Sequence, residues 1–165
     1  MEVEFTEFVA DAGTRLLRFS RLLIPDHGEA EDALQDALLR LARHWHRASS
    51  PEAYVRKTLV NLARDRGRRR HLVAVPSESD RAEPAVVSRA GDLSDAIAAR
   101  QHLDHLLGLL PPKQRITVVL RIVEDLGEAE TAQLMGCADG TVKSNLSRAL
   151  STLRDHVATR QEANR

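Results

Sequence analysis

The sequence predicts an all-α protein of two small helical domains joined by a flexible linker. Three observations predict it. Apolar residues recur at spacings of three and four through most of the chain, and β-branched or aromatic runs alternating every second residue are absent. Aromatics make up only 3% of a chain that is 42% hydrophobic, so leucine and alanine carry the cores, and both favour helix. Between about residues 71 and 92, Pro76, Pro84, Gly91, Ser77, Ser79 and Ser88 interrupt the pattern with no sustained apolar stripe. A length of 165 residues fits one large domain or two small ones.

The elements follow in order. Phe5, Phe8, Val9, Leu16, Leu17 and Phe19 imply one or two N-terminal helices, ended by the break Pro25-Asp26-His27-Gly28. A helix from about Glu29 to Trp45 buries Ala30, Leu34, Ala37, Leu38, Leu41 and Trp45, and leaves Asp32, Gln35, Asp36 and Arg40 on other faces. Ser50 and Pro51 form a start signal, with serine as cap and proline at the first helical position. The helix from there to about Arg70 turns Tyr54, Val55, Thr58, Leu59, Leu62 and Ala63 inward. Lys57, Asn61, Arg64 and Arg68 share an outer face. After the linker, Ala96, Ile97, Leu103, Leu106, Leu107 and Leu110 restart the period, and Leu110-Pro111-Pro112 ends it. Pro112 opens a further helix with Ile116, Val119, Leu120 and Val123 inside.

The C-terminal segment 128–155 reads as helix, tight turn and longer helix, the layout of a helix-turn-helix. Ala132 is small where the two helices cross. Gly136 supplies the positive φ that ends the first helix, and Asp139 is the better side-chain cap for the second. Val142, Leu146, Ala149, Leu150 and Leu153 form the inner stripe, which leaves Thr141, Lys143, Ser144 and Arg148 outside. A plain helical hairpin with a solvated polar face has the same pattern, so the motif by itself does not decide for DNA.

Net charge is zero, with 24 basic and 24 acidic residues, but it is unevenly spread. Residues 54–70 hold seven Lys/Arg against one acidic residue, and residues 136–165 hold five against three. Residues 1–53 and 71–135 are each net −4, which suits a protein partner. A structured amphipathic helix leading into an arginine run raises the case for nucleic acid. Cys137 is the only cysteine, so no internal disulfide forms. The acidic start Met1-Glu2-Val3-Glu4 lacks the parts of a secretory signal, and no apolar run has membrane-span length; a cytoplasmic protein with no membrane contact is expected.

An enzyme is disfavoured. His102 and His105 lie three apart, but no third metal ligand is near in sequence, and no phosphate loop or nucleophile motif occurs. No cofactor is expected. A stand-alone helix-turn-helix regulator would explain residues 93–165 and leave the two earlier helices without roles. An interaction module without promoter activity is at odds with the intact arginine cluster.

With these pieces placed, the chain resembles the extracytoplasmic-function sigma factors of the sigma-70 family, most closely the short actinobacterial group called the SigE family. Three stretches carry the likeness: Ala30-EDALQDALLRLARHW, Ser50-PEAYVRKTLVNLARDRGRRR, and Leu110-PPKQRITVVLRIVEDLGEAETAQLMGCADGTVKSNLSRALSTLR. The resemblance implies a core-binding and −10 domain over residues 1–71, a linker over 72–92 and a −35 domain over 93–160. It implies that Asp32, Gln35, Asp36 and Arg40 contact core RNA polymerase. It places Lys57, Asn61, Arg64 and Arg68 along the −10 element, and Thr141, Lys143, Ser144 and Arg148 at the −35 element. The loop His46 to Ser50, bordered by Trp45 and Tyr54, would hold a flipped base, with core packing the commoner role for both aromatics. An anti-sigma factor is a further implied partner.

Three departures stand out. Gly127 and Ala138 occupy places where capping serines are common in the family, and Asn145 stands where an arginine is frequent. With no net charge to drive it, the free chain is expected to bind DNA weakly. Two tethered domains can also fold onto each other and hide both DNA faces.

Overall fold

The computed structural model describes residues 2–73 and 91–163, and every element within them is helical. The order is α1 (Glu2–Leu23), α2 (His27–His44), a 3₁₀ turn (Trp45–Arg47), α3 (Pro51–Val73), α4 (Gly91–Gly108), α5 (Pro112–Val118) running into a π turn (Val119–Val123), α6 (Glu128–Met135) and α7 (Asp139–Ala163). The linker prolines and serines at 76–88 lie outside the described residues.

The N-terminal half is a three-helix layer. A single α1 takes the place of one or two expected helices. Ala12, Leu16, Phe19 and Leu23 recur along its buried face and meet Ala30, Ala33, Leu34, Ala37 and Leu41 of α2 and Val55 and Leu59 of α3. Polar bonds fix the corners. The buried Ser20 hydroxyl donates to the Ala30 carbonyl at 2.7 Å. Asp26 caps α2 by accepting from the Glu29 amide at 2.8 Å, satisfying a donor that has no partner within the helix. Arg21 and Glu31 pair at 2.6 Å across the α1–α2 turn.

Trp45 is core. It packs edge-on against Phe5 at 5.4 Å and tilted against Phe8 at 5.7 Å between centroids. Tyr54 stacks on His44 at 6.2 Å. The first two contacts tie α1 to the 3₁₀ turn, and the third ties the end of α2 to α3.

In the C-terminal half, α5 is the central strut. Ile116, Val118, Val119 and Leu120 are buried, whereas Val123, expected inside, is 40% exposed where the π turn rotates it outward. Arg115 is a buried positioning group. Its guanidinium donates to the Leu107 and Leu110 carbonyls at 2.7 Å each, satisfying the end of α4 across the proline break. Asp125 then turns the chain with φ of 53°, a left-handed conformation that aspartate tolerates better than most residues. Burial pushes the Asp104 carboxyl above its ordinary range, and the charges of Arg100, His27 and Arg21 offset this only in part.

The two halves touch. Helix α3 packs on α5 and α6, and one cluster of buried side chains runs through both halves from Ala12 to Ala149. Val60 of α3, outside the sequence-predicted inner face, is fully buried.

Candidate nucleic-acid and polymerase interfaces

Each helix of the helix-turn-helix ends by an identifiable device. Gly127 stands at the α6 N-cap and lacks a side chain to offer. Glu130 supplies the other half of the capping box, its carboxylate accepting from the Gly127 amide at 3.0 Å. Gly136 closes α6 with φ of 61°, as the turn requires. Helix α7 begins at Asp139, so Ala138, and not Asp139, takes the cap position. The Ala138 carbonyl accepts from the amides of Thr141 and Val142. Asp139 contributes its charge in the first turn instead, where the helix dipole favours an anion.

Thr141, Lys143, Ser144 and Arg148 are all exposed on one side of α7. Lys143 is held by Glu128 at 3.4 Å, and the Ser144 hydroxyl donates to the Thr141 carbonyl at 3.1 Å. Asn145 does not share this face. It is 7% exposed and shares the helix face of Val142, Ala149 and the partly buried Leu146. The sequence signal was available: Asn145 is three residues after Val142 and four before Ala149, on the stripe itself.

The four candidates on α3 split. Lys57 and Arg68 are exposed, and Asn61 is half-buried. Arg64 turns to the other half of the molecule and donates from its guanidinium to the Met135 carbonyl at the end of α6. Arg68 reaches Asp65 at 3.4 Å, an exposed pair of small energetic weight.

On α2, Asp32, Gln35 and Arg40 are exposed and Asp36 is half-buried. Arg40 and Asp36 form a two-pronged pair, at 3.0 Å through Nε and 2.8 Å through Nη2, and the hydrogen bond and charge of Asp36 raise the Arg40 guanidinium above its ordinary value. Sequence reading missed Leu39. It is 61% exposed, between Gln35 and Asp36 one turn before and Arg40 beside it. An apolar residue off the buried stripe was its signal.

His102 and His105 are both exposed, and His105 meets His156 at 5.6 Å between ring centroids. Among the described residues no group of three or more His, Cys, Asp or Glu is placed to hold a metal, and no helix is long and apolar enough to cross a membrane.

The two helical halves match known protein families. Residues 8–72 match the family Sigma-70 region 2, and residues 100–153 match Sigma-70, region 4. The RNA polymerase sigma-E factor of Streptomyces coelicolor is 38% identical over 161 residues, covering 96% of this chain and 88% of that protein. The chain belongs to the sigma-70 family. It is also 33% identical over 142 residues to the ECF RNA polymerase sigma factor SigM of Mycobacterium tuberculosis, covering 84% of this chain and 69% of the relative. A solved sigma factor, RpoE of Bartonella quintana in co-crystal with the anti-sigma factor NepR, is similar with a TM-score of 0.64. The two share 27% identity, over 94% of this chain and 97% of that one. As a sigma factor, this protein acts in promoter recognition and transcription initiation by RNA polymerase. The stand-alone regulator reading falls with that assignment, since region 2 accounts for the two helices it left without roles.

Proposed function

We propose that this sigma factor divides its work as residues 1–71 for core binding and the −10 element, 72–92 as tether, and 93–160 for the −35 element. The observation that carries this is the separation of two exposed polar faces on two different helices. Lys57, Asn61 and Arg68 lie along α3, and Thr141, Lys143, Ser144 and Arg148 along α7. Arg64 joins the first set once it leaves the Met135 carbonyl.

The proposed −35 contact follows helix-turn-helix physics. Helix α7 enters the major groove, Arg148 meets a guanine edge or a phosphate, and the short polar groups fix register. Along α3 the contacts are to backbone charge. The polymerase surface is the outer face of α2, where Leu39 gives an apolar centre ringed by Asp32, Gln35, Asp36 and Arg40. The protein has no catalytic step of its own in this reading. It works in the cytoplasm with core polymerase and promoter DNA, and an anti-sigma factor is a further partner.

Arg148→Ala tests the −35 assignment. In reconstituted transcription, the substitution is expected to lower initiation by about tenfold, the worth of one charged contact, on the intact promoter. It should have little effect once the −35 sequence is scrambled. Equal loss on both templates would remove α7 from −35 recognition.

A further inference from the structure

Of the two candidate cations on α7, one is held and the other is not. The Lys143 ammonium lies 3.4 Å from the Glu128 carboxylate, which reaches it from the start of α6. Arg148 is exposed and has no carboxylate partner among the described residues. Glu128 is free for this role because its neighbour is engaged. Glu130, two residues on in the same first turn, accepts from the Gly127 amide. The first turn of α7 is otherwise committed to itself, with the Ser144 hydroxyl donating to the Thr141 carbonyl.

Such a pair adds little to the fold. Solvent reaches both side chains, 66% of Lys143 and 39% of Glu128, and exposed pairs have small energetic weight. Its consequence lies at a DNA surface. In a helix-turn-helix the first helix crosses the phosphate backbone while the second lies in the groove. The start of α6 therefore brings a carboxylate up to the nucleic acid. A solitary lysine is a mobile point charge on a flexible stem, and it goes to the nearest phosphate whatever the base sequence. Beside Glu128 the ammonium keeps two further N–H donors. The carboxylate opposes an anionic acceptor there, and opposes a neutral one far less. Guanine offers two neutral acceptors, N7 and O6, at its major-groove edge.

We propose that Glu128 is a positioning residue for sequence readout: it holds Lys143 away from phosphate and aims it at a guanine edge in the −35 element. The inference rests on the placement of α7 in the −35 major groove. Within that placement, Lys143 contributes discrimination between sequences rather than bulk affinity, in keeping with a chain of zero net charge.

The test uses the full chain with core polymerase and the variants Glu128→Gln, Lys143→Ala and the two combined. Glutamine keeps the shape of the side chain and removes its charge. Holoenzyme binding is measured on a duplex from upstream of its own gene, on the same duplex with the −35 sequence scrambled, and on a pool randomised across the −35 element. Glu128→Gln is expected to raise affinity for the scrambled duplex about tenfold at low salt, to leave the intact duplex nearly unchanged, and to steepen the log–log salt dependence by about one unit. The preference for intact over scrambled duplex should fall about tenfold in Glu128→Gln and in Lys143→Ala alike, and both should lose enrichment for guanine at the same position of the pool. Once Lys143 is alanine, Glu128→Gln should not change the preference further. An unchanged preference in Glu128→Gln overturns the proposal. So does an equal fall with and without Lys143, which would mean that Glu128 acts on DNA by itself. Weaker binding to both duplexes together with a lower melting temperature also overturns it, since that marks a merely structural residue. Equal loss on both duplexes for Lys143→Ala and for Arg148→Ala would remove the placement of α7, and the inference with it.

Discussion

Removing both exposed cations of α3, Lys57→Ala with Arg68→Ala, is expected to cut initiation by roughly 100-fold. Both side chains reach solvent, and neither joins the contact with the C-terminal half, so the fold should persist. A hydrogen bond to a charged group is worth about 1.5 kcal/mol or more, close to tenfold, and the two sites act on separate phosphates. Salt should expose the same chemistry. The dependence of holoenzyme binding on salt concentration should flatten by about one unit of log–log slope for each contact removed. Run-off transcription and filter binding at several salt concentrations would check both. Unchanged initiation would mean that α3 presents a merely solvated face. Arg64 is unsuited to this test, since its loss would also remove the hydrogen bond to the Met135 carbonyl.

The second large effect concerns stability. Leu120 is fully buried in the π turn, inside the cluster that runs through both halves. Leu120→Ala removes three carbons and leaves a cavity that a turn held on both sides cannot close. A loss of about 3 kcal/mol is expected, equivalent to roughly 6–12 °C in melting temperature for a chain of this size. Thermal unfolding followed by circular dichroism would measure it. The same substitution at the exposed Ile122, two residues on, should cost well under 1 kcal/mol. The contrast between neighbours would confirm that the π turn sets which side chain points inward.

Most helices were legible because each buries a local stripe. Ala30, Leu34, Ala37 and Leu41 announce α2, and Val142 and Ala149 announce the inner face of α7. Turn chemistry was legible where a residue has one conformational use, as at Gly136. What escaped the sequence depends on neighbours distant along the chain. Val60 lies off the inner face read from the sequence, yet it is fully buried on a helix that also packs on α5 and α6. Gly67 drew no reading from the sequence, and its close approach needs Pro112, 45 residues away. Val123 was assigned inward by a 3.6-residue period that the π turn shifts. Ala138 took the cap position from Asp139 because the helix begins one residue earlier than side-chain preference indicated.

The candidate sites divide in the same way. Exposure on α7 was read correctly because the hydrophobic stripe defines its opposite face. Asn145, noted only as a departure from the family, lies on that stripe by its spacing and is buried. Arg64 belonged to the right row of residues, but no local rule shows that the end of another helix would claim it. On α2 only the polar residues off the stripe were singled out, and the exposed Leu39 lies among them.

The central claim is that this chain confers promoter recognition on core polymerase. Run-off transcription with actinobacterial core polymerase, with and without the protein, on DNA from upstream of its own gene tests it most directly. The account predicts a new transcript that requires the protein, starts at one position, and disappears with the Lys57 and Arg68 pair. Failure of the protein to bind core polymerase at all would contradict it.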